Sequence, residues 1–169
     1  MALRKIIKLP NPNLRRTAHK VIGFEKDFQN LVDDMIDTMR DEPGVGLAAP
    51  QIDVPLKVIV VEYSNDDSSG HPKPKLYVLA NPEIVEASTE VEKGIEGCLS
   101  VPGIFGEVKR SNAITVKGFN RFGKKTKFHA SGWLARIFQH EIDHLNGILF
   151  IDRADQLFEP EEIQEQRSV

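Results

Sequence analysis

The chain has 169 residues, 40% of them hydrophobic and 28% charged, enough for one soluble globular domain with its own core. Its 22 Lys and Arg against 25 Asp and Glu give a formal charge of −3 and no electrostatic footprint for nucleic acid. No apolar run approaches the roughly 18 residues of a membrane span, and the single cysteine, Cys98, excludes an internal disulfide and makes a reducing, cytoplasmic setting the default.

Residues 1–20, rich in Pro, Asn and Arg, read as an extended arm over the surface. Charge comes early there and no apolar h-region is present, so no secretory signal is expected. Phe28, Leu31, Val32, Met35, Ile36 and Met39 recur at steps of three and four, which predicts a helix with one apolar stripe. Asp33, Asp34, Asp37 and Arg40 take its other side, and Pro43-Gly44 ends it. Beyond a glycine-rich stretch, the β-branched run 57–63 predicts a buried strand, and 64–75, with Gly70, Pro72 and Pro74, a loop. Further strands are predicted over 76–80, 83–88, 113–119 and 125–130, the last two joined by the turn Asn120-Arg121-Phe122-Gly123. A second helix spans about 132–145, with Ser131 as its cap and Gly147 just past its end. The acidic, polar stretch from Glu159 onward is a short helix or a frayed end. Strands in one block with helices set apart predict an α+β fold.

The second helix carries Gln139-His140-Glu141-Ile142-Asp143-His144, a His-Glu-x-x-His motif. At about 100° per residue, histidines four apart lie about 40° apart around the axis, one turn above the other, so both can ligate one ion. Glu141 stands about 100° from His140, within reach of a water on that ion without being forced to ligate it. On the same wheel Leu134, Phe138, Ile142 and Leu145 gather opposite the ligands and face the core. Trp133 and Ile137 fall in the arc of His140, His144 and Glu141 and line the space beside the ion. Arg136, Gln139 and Asp143 fill the remaining polar sector.

A catalytic site of this kind takes three protein ligands and keeps one position open. A third histidine six residues after the second is missing, because Phe150 stands there. Glu161, Glu162 and Glu165 lie at the distance of a downstream carboxylate ligand, on a tail that reads as weakly ordered. Cys98, in Glu96-Gly97-Cys98-Leu99-Ser100, offers a thiolate and is the favoured candidate, although a single cysteine taken alone is usually a small buried hydrophobe. His19, His71 and His129 are expected on the surface.

Three segments together resemble the peptide deformylase family. They are Gly44-Val45-Gly46-Leu47-Ala48-Ala49-Pro50-Gln51, Glu96-Gly97-Cys98-Leu99-Ser100 and Gln139-His140-Glu141-Ile142-Asp143-His144-Leu145. The opening arm and Ala80-Asn81-Pro82 extend the likeness over about residues 3 to 155, and Trp133-Leu134-Ala135-Arg136 resembles one branch of the family. The resemblance implies one catalytic domain over 1–169, with the arm 1–20 and a short polar tail 159–169, in which small β-sheets pack around a central helix bearing the histidines. It implies removal of the formyl group from the N-terminal formylmethionine of new polypeptides, by attack of a metal-bound hydroxide on the formyl carbonyl. Carried onto this sequence, Cys98, His140 and His144 are the metal ligands and Glu141 is general base and acid. Gln51 and the backbone N–H of Leu99 stabilise the oxyanion. The implied cofactor is one divalent ion per chain, ferrous iron, with zinc, nickel or cobalt able to substitute. The implied partners are N-formylmethionyl peptides and nascent chains, with ribosome association as a further expectation.

In these terms Gly44 and Gly46 let the backbone pass close to substrate, while Ala48 and Ala49 keep bulk away. Val45, Leu99, Trp133 and Ile137 are the candidate walls of an apolar slot for methionine. The resemblance also implies an ion pair of Glu96 with Arg110 stiffening the Cys98 segment, the alternative being a surface pair of little consequence. Two other readings share the helix motif: a zinc endopeptidase, and a metal-binding module without turnover. Cys98 and the missing downstream histidine argue against the first, and the lack of a fourth protein ligand against the second.

Overall fold

The computed structural model describes residues 2–64 and 73–162. His71, Glu165 and most of the loop expected at 64–75 lie outside the described residues. In chain order the elements are α1 (Lys26–Asp41), β1 (Gly46–Ala48), β2 (Val58–Tyr63), β3 (Lys75–Ala87), β4 (Val91–Cys98) and β5 (Val101–Ser111). There follow β6 (Ala113–Phe119), β7 (Lys125–Ser131), α2 (Gly132–Leu145), α3 (Phe150–Arg153) and β8 (Gln156–Phe158). Two antiparallel sheets result, one of five strands in the order β1-β2-β3-β6-β7 and one of three in the order β4-β5-β8. The architecture is α+β. Among the described residues no helix is long and apolar enough to cross a membrane.

The helical periodicity translates directly into packing. α1 buries Phe28, Leu31, Val32, Met35, Ile36 and Met39 against Leu47, Val58 and Val60 of β1 and β2. α2 buries Leu134, Phe138, Ile142 and Leu145 against the other face of the same sheet, at Ile59, Val61, Leu79, Ile114 and Val116. Phe138 is fully buried and meets the rings of Tyr77 and Phe128 at centroid distances of 5.2 and 5.1 Å. Loss of such a ring costs about 3–5 kcal/mol. On its opposite side α2 faces the β4–β5 hairpin, so the helix is held between two sheets and its polar stripe is enclosed.

Several expectations change at the level of local structure. The strands expected at 76–80 and 83–88 are a single bulged strand, β3. Asn81 takes φ +50 there, and its amide grips the Val21 backbone from both sides, at 2.8 and 3.0 Å. Pro82, which has no N–H for a ladder, is tolerated at the bulge. Ser131 occupies the N-cap of α2 but makes no side-chain cap bond. The chain instead turns straight out of β7 through Gly132 at φ +60, and the Gly132 N–H donates to Asn112 O at 2.8 Å. Gly147 ends the helix as expected, at φ +71, packed so tightly on the Arg15 backbone that a Cβ would collide with it. β4, β5, α3 and β8 are not among the elements that the sequence predicts. Residues 1–20 are also more than a surface arm. Ile6 and Leu14 are buried, and Ile7, Leu9 and Ala18 donate backbone hydrogen bonds to Gln51 O, Ser100 O and Leu145 O at 2.8, 3.0 and 2.9 Å.

Candidate metal centre

Three segments distant in sequence meet at one cleft of about 560 Å³, whose lining includes Gly44, Val45, Gly46, Gln51, Cys98, Leu99, Trp133, Ile137, His140 and Glu141. α2 supplies the two histidines from successive turns, their rings 5.2 Å apart. Cys98 ends β4, and Leu99-Ser100 turn the chain into β5, which brings the sulfur to 3.3 Å from His144 Nε2. One ligand atom from each of Cys98, His140 and His144 lies within 4.8 Å of the other two. His19 and His129 are exposed, as are Glu161 and Glu162, and none of them joins this cluster.

The electrostatics fit a cation at that point. Glu96, 5% exposed, accepts from His140 Nδ1 at 2.8 Å, which turns the other ring nitrogen toward the sulfur. Burial alone would raise the Glu96 carboxyl, but the hydrogen bonds from His140 and Arg110 prevail and hold it near 2. Burial likewise depresses His140, yet hydrogen bonding to Cys98 and Glu96 and the charge of Glu141 bring it up to about 10. The cluster therefore favours positive charge among its donors, and a divalent ion would take the place of that proton. His144 is driven well below its ordinary value by burial and by the positive charges of His140, Arg110 and Arg15, leaving a neutral imidazole ready to ligate. One cysteine sulfur and two imidazole nitrogens are a donor set that could hold iron, zinc, cobalt or nickel.

Glu141 is 5% exposed, and its Oε2 has no hydrogen-bond partner among the described residues. Burial lifts its carboxyl to about 7, against the lowering effect of His140. Gly46 is what makes room for it: a Cβ there would stand 2.7 Å from Glu141 Oε1. The glycine in this strand thus clears space for a carboxylate of the protein itself. A Cβ on Gly44 would only touch Leu99 Cδ1, at 3.4 Å.

Gln51 is oriented by its neighbours. Ala48 N–H donates to its Oε1 at 3.0 Å, so Nε2 points toward Ser100 Oγ at 3.3 Å and Cys98 Sγ at 3.5 Å. Of the walls expected from the sequence, Val45 and Trp133 are 41% and 45% exposed, Leu99 is half-buried and Ile137 is buried, all on the same cleft.

The expected Glu96–Arg110 pair is present and is only part of what surrounds it. Arg110 donates Nε and Nη2 to Glu96 at 2.9 Å each and Nη1 to Asp143 at 2.6 Å, and Arg136 donates to Glu96 at 2.8 Å. Asp143 takes a further bond from Arg153 at 2.7 Å. Arg136, His140 and Asp143 are spaced i, i+4, i+7, which puts them on one stripe of α2 facing Glu96. That spacing was the available signal for the network, since charges on such a stripe enter an interior only when paired.

Residues 3–159 match the family described as Polypeptide deformylase. A peptide deformylase of Natranaerobius thermophilus is 46% identical over 162 residues, covering 96% of this chain and 99% of its own. Among solved structures, a peptide deformylase of Legionella pneumophila aligns with TM-score 0.82 and 42% identity over 99% of this chain and 92% of its own. A class I type b peptide deformylase of Acinetobacter baumannii with Met-Ala-Ser bound aligns with TM-score 0.83 and 38% identity, over 90% of this chain and 98% of its own. The chain belongs to the polypeptide deformylase family.

Proposed function

We propose that this chain, as one catalytic domain, removes the formyl group from the N-terminal formylmethionine of nascent polypeptides, with Cys98, His140 and His144 holding a ferrous ion. The observation that carries the reading is the convergence of those three donors, within 4.8 Å of one another, on the cleft that Glu141 and Gln51 also line. A divalent ion held there lowers the pKa of bound water to around 7 and polarises a carbonyl oxygen.

The protein's own groups account for the rest. Glu141, buried with one oxygen unpartnered among the described residues, takes a proton from the attacking water and returns it to the departing amine. Gln51 Nε2 and the Leu99 N–H, at the turn after Cys98, donate to the oxygen that gains negative charge. Ile137 at the floor and the exposed rim of Val45 and Trp133 fit an unbranched apolar side chain, with room for the residues behind it. Met-Ala-Ser bound to the Acinetobacter baumannii relative has that form. A cytoplasmic setting and an encounter with the chain at the ribosome belong to the same proposal.

Anaerobically purified protein, analysed for metal and offered formyl-Met-Ala-Ser or casein, tests the reading. Formate release without casein cleavage is expected, with iron bound one to one and activity lost faster in air than under argon. Casein cleavage without formate release would replace the deformylase by an endopeptidase. Gly46→Ala provides a second check on Glu141. The new methyl must displace the carboxylate, and a displacement of about 1 Å lowers kcat by about 10²-fold. Metal content of that variant should be unchanged. A variant of parental kcat would mean that Glu141 need not stand where it does.

A further inference from the structure

Arg136 stands between the carboxylate that holds His140 and the half-exposed indole of Trp133. Its side chain is 6% exposed and its guanidinium is held by three acceptors, Glu96 Oε2, Val108 O and Glu92 O, each at 2.8 Å. That fork leaves one face of the cation to the Trp133 ring, with Cζ 5.4 Å from the centroid. β4 is shaped around it, for a Cβ on Gly94 would lie 2.6 Å from Cζ. The Glu96 carboxylate is one rigid unit. Oε1 takes His140 Nδ1 at 2.8 Å and Arg110 Nη2 at 2.9 Å, and Oε2 takes Arg136 at 2.8 Å and Arg110 Nε at 2.9 Å, so any tilt that accompanies a change at His140 moves the Arg136 guanidinium together with that of Arg110.

We propose that Arg136 is a positioning residue coupling the Trp133 wall of the cleft to the metal centre through Glu96 and His140. The inference rests on the reading of Cys98, His140 and His144 as metal ligands. Its consequence is that the indole facing the incoming peptide is set in place only when the ligand histidine is. Lysine, a point charge without the fork, does not serve in this position.

Trp133 is the only tryptophan of the chain, so its emission reports this wall alone. Zinc, with a filled d shell, serves as the probe. Metal-free protein is titrated anaerobically with Zn²⁺ while Trp133 emission is followed, and zinc loss to a chelator is then timed. The parent is expected to bind one equivalent with a change in emission. Arg136→Met should still bind zinc, with the emission change reduced at least threefold and zinc lost about tenfold faster, as for loss of a partner behind a metal ligand. Gly94→Ala keeps the arginine but displaces it, and should act in the same direction even if Arg136→Met fails to fold. A parent whose emission ignores zinc would overturn the coupling, as would either variant with a parental emission response, whatever its rate of zinc loss. A parent that binds no zinc would instead sink the metal reading itself.

Discussion

Replacing Glu141 by glutamine is expected to lower kcat for formyl-Met-Ala-Ser by about 10²–10⁴-fold while the protein retains its metal. The amide has nearly the shape of the carboxylate, so the space that Gly46 leaves beside Oε1 accepts it without movement of β1. What disappears is the capacity to take and return a proton. The carboxyl is suited to both halves of that task, because burial brings it to about 7 against the pull of His140, close to the pH at which it would operate. Loss of binding predicts a different pattern, a raised KM at unchanged kcat. Steady-state kinetics alongside metal analysis separate the two, and a metal-replete variant with more than half the parental kcat would remove Glu141 from the proton path.

Replacing Arg110 by methionine is expected to destabilise the metal-free protein by about 3–5 kcal/mol, because it removes three buried charge-assisted hydrogen bonds and leaves Glu96 to Arg136 and His140, and Asp143 to Arg153. Glu96 and Asp143 both bond to this guanidinium, at 2.9, 2.9 and 2.6 Å, and Arg110 is 5% exposed. At about 2–4 °C per kcal/mol for a chain of this size, Tm should fall by roughly 6–20 °C. Arg40→Met offers the contrast. Its bidentate pair with Glu62 spans 2.7 and 2.9 Å, but the Arg40 side chain is 51% exposed, and such a pair contributes about 0–1 kcal/mol. Calorimetry on the two variants checks the difference. Equal Tm values would mean that the interior network is no more than a surface ion pair moved inward.

The parts of the molecule legible in the sequence are those with a regular period. Both long helices follow from apolar steps of three and four, and β2, β6 and β7 from β-branched or bounded runs. The two histidines follow from the same geometry, and Cys98 stands out among few candidate third ligands on the sequence alone. The β4–β5 hairpin has no such signature. Val91–Cys98 and Val101–Ser111 carry charges and glycines where a buried strand would show alternating apolar residues, because one face receives guanidinium groups instead of hydrocarbon. Gly94 is readable only once Arg136 is known to lie over it. The polar sector of α2 is legible in the sequence, but its burial depends on β4 and β5, which lie some 25 to 50 residues earlier in the chain.

The bonds made by the opening residues also set an order of assembly. Ala18 waits for Leu145 O, and Arg15 for Gly147 and Asp152, partners 132 and 137 residues later in the chain. At roughly 5–20 residues per second, synthesis separates those partners by on the order of ten seconds. In that interval α1 can form from local contacts and Ile7 and Leu9 can reach Gln51 O and Ser100 O as these are made, whereas Arg15 and Ala18 still lack their partners. In its last part Cys98 has emerged without either imidazole, 46 residues ahead of His144, and the sulfur is guarded only by the redox state of its surroundings until α2 arrives.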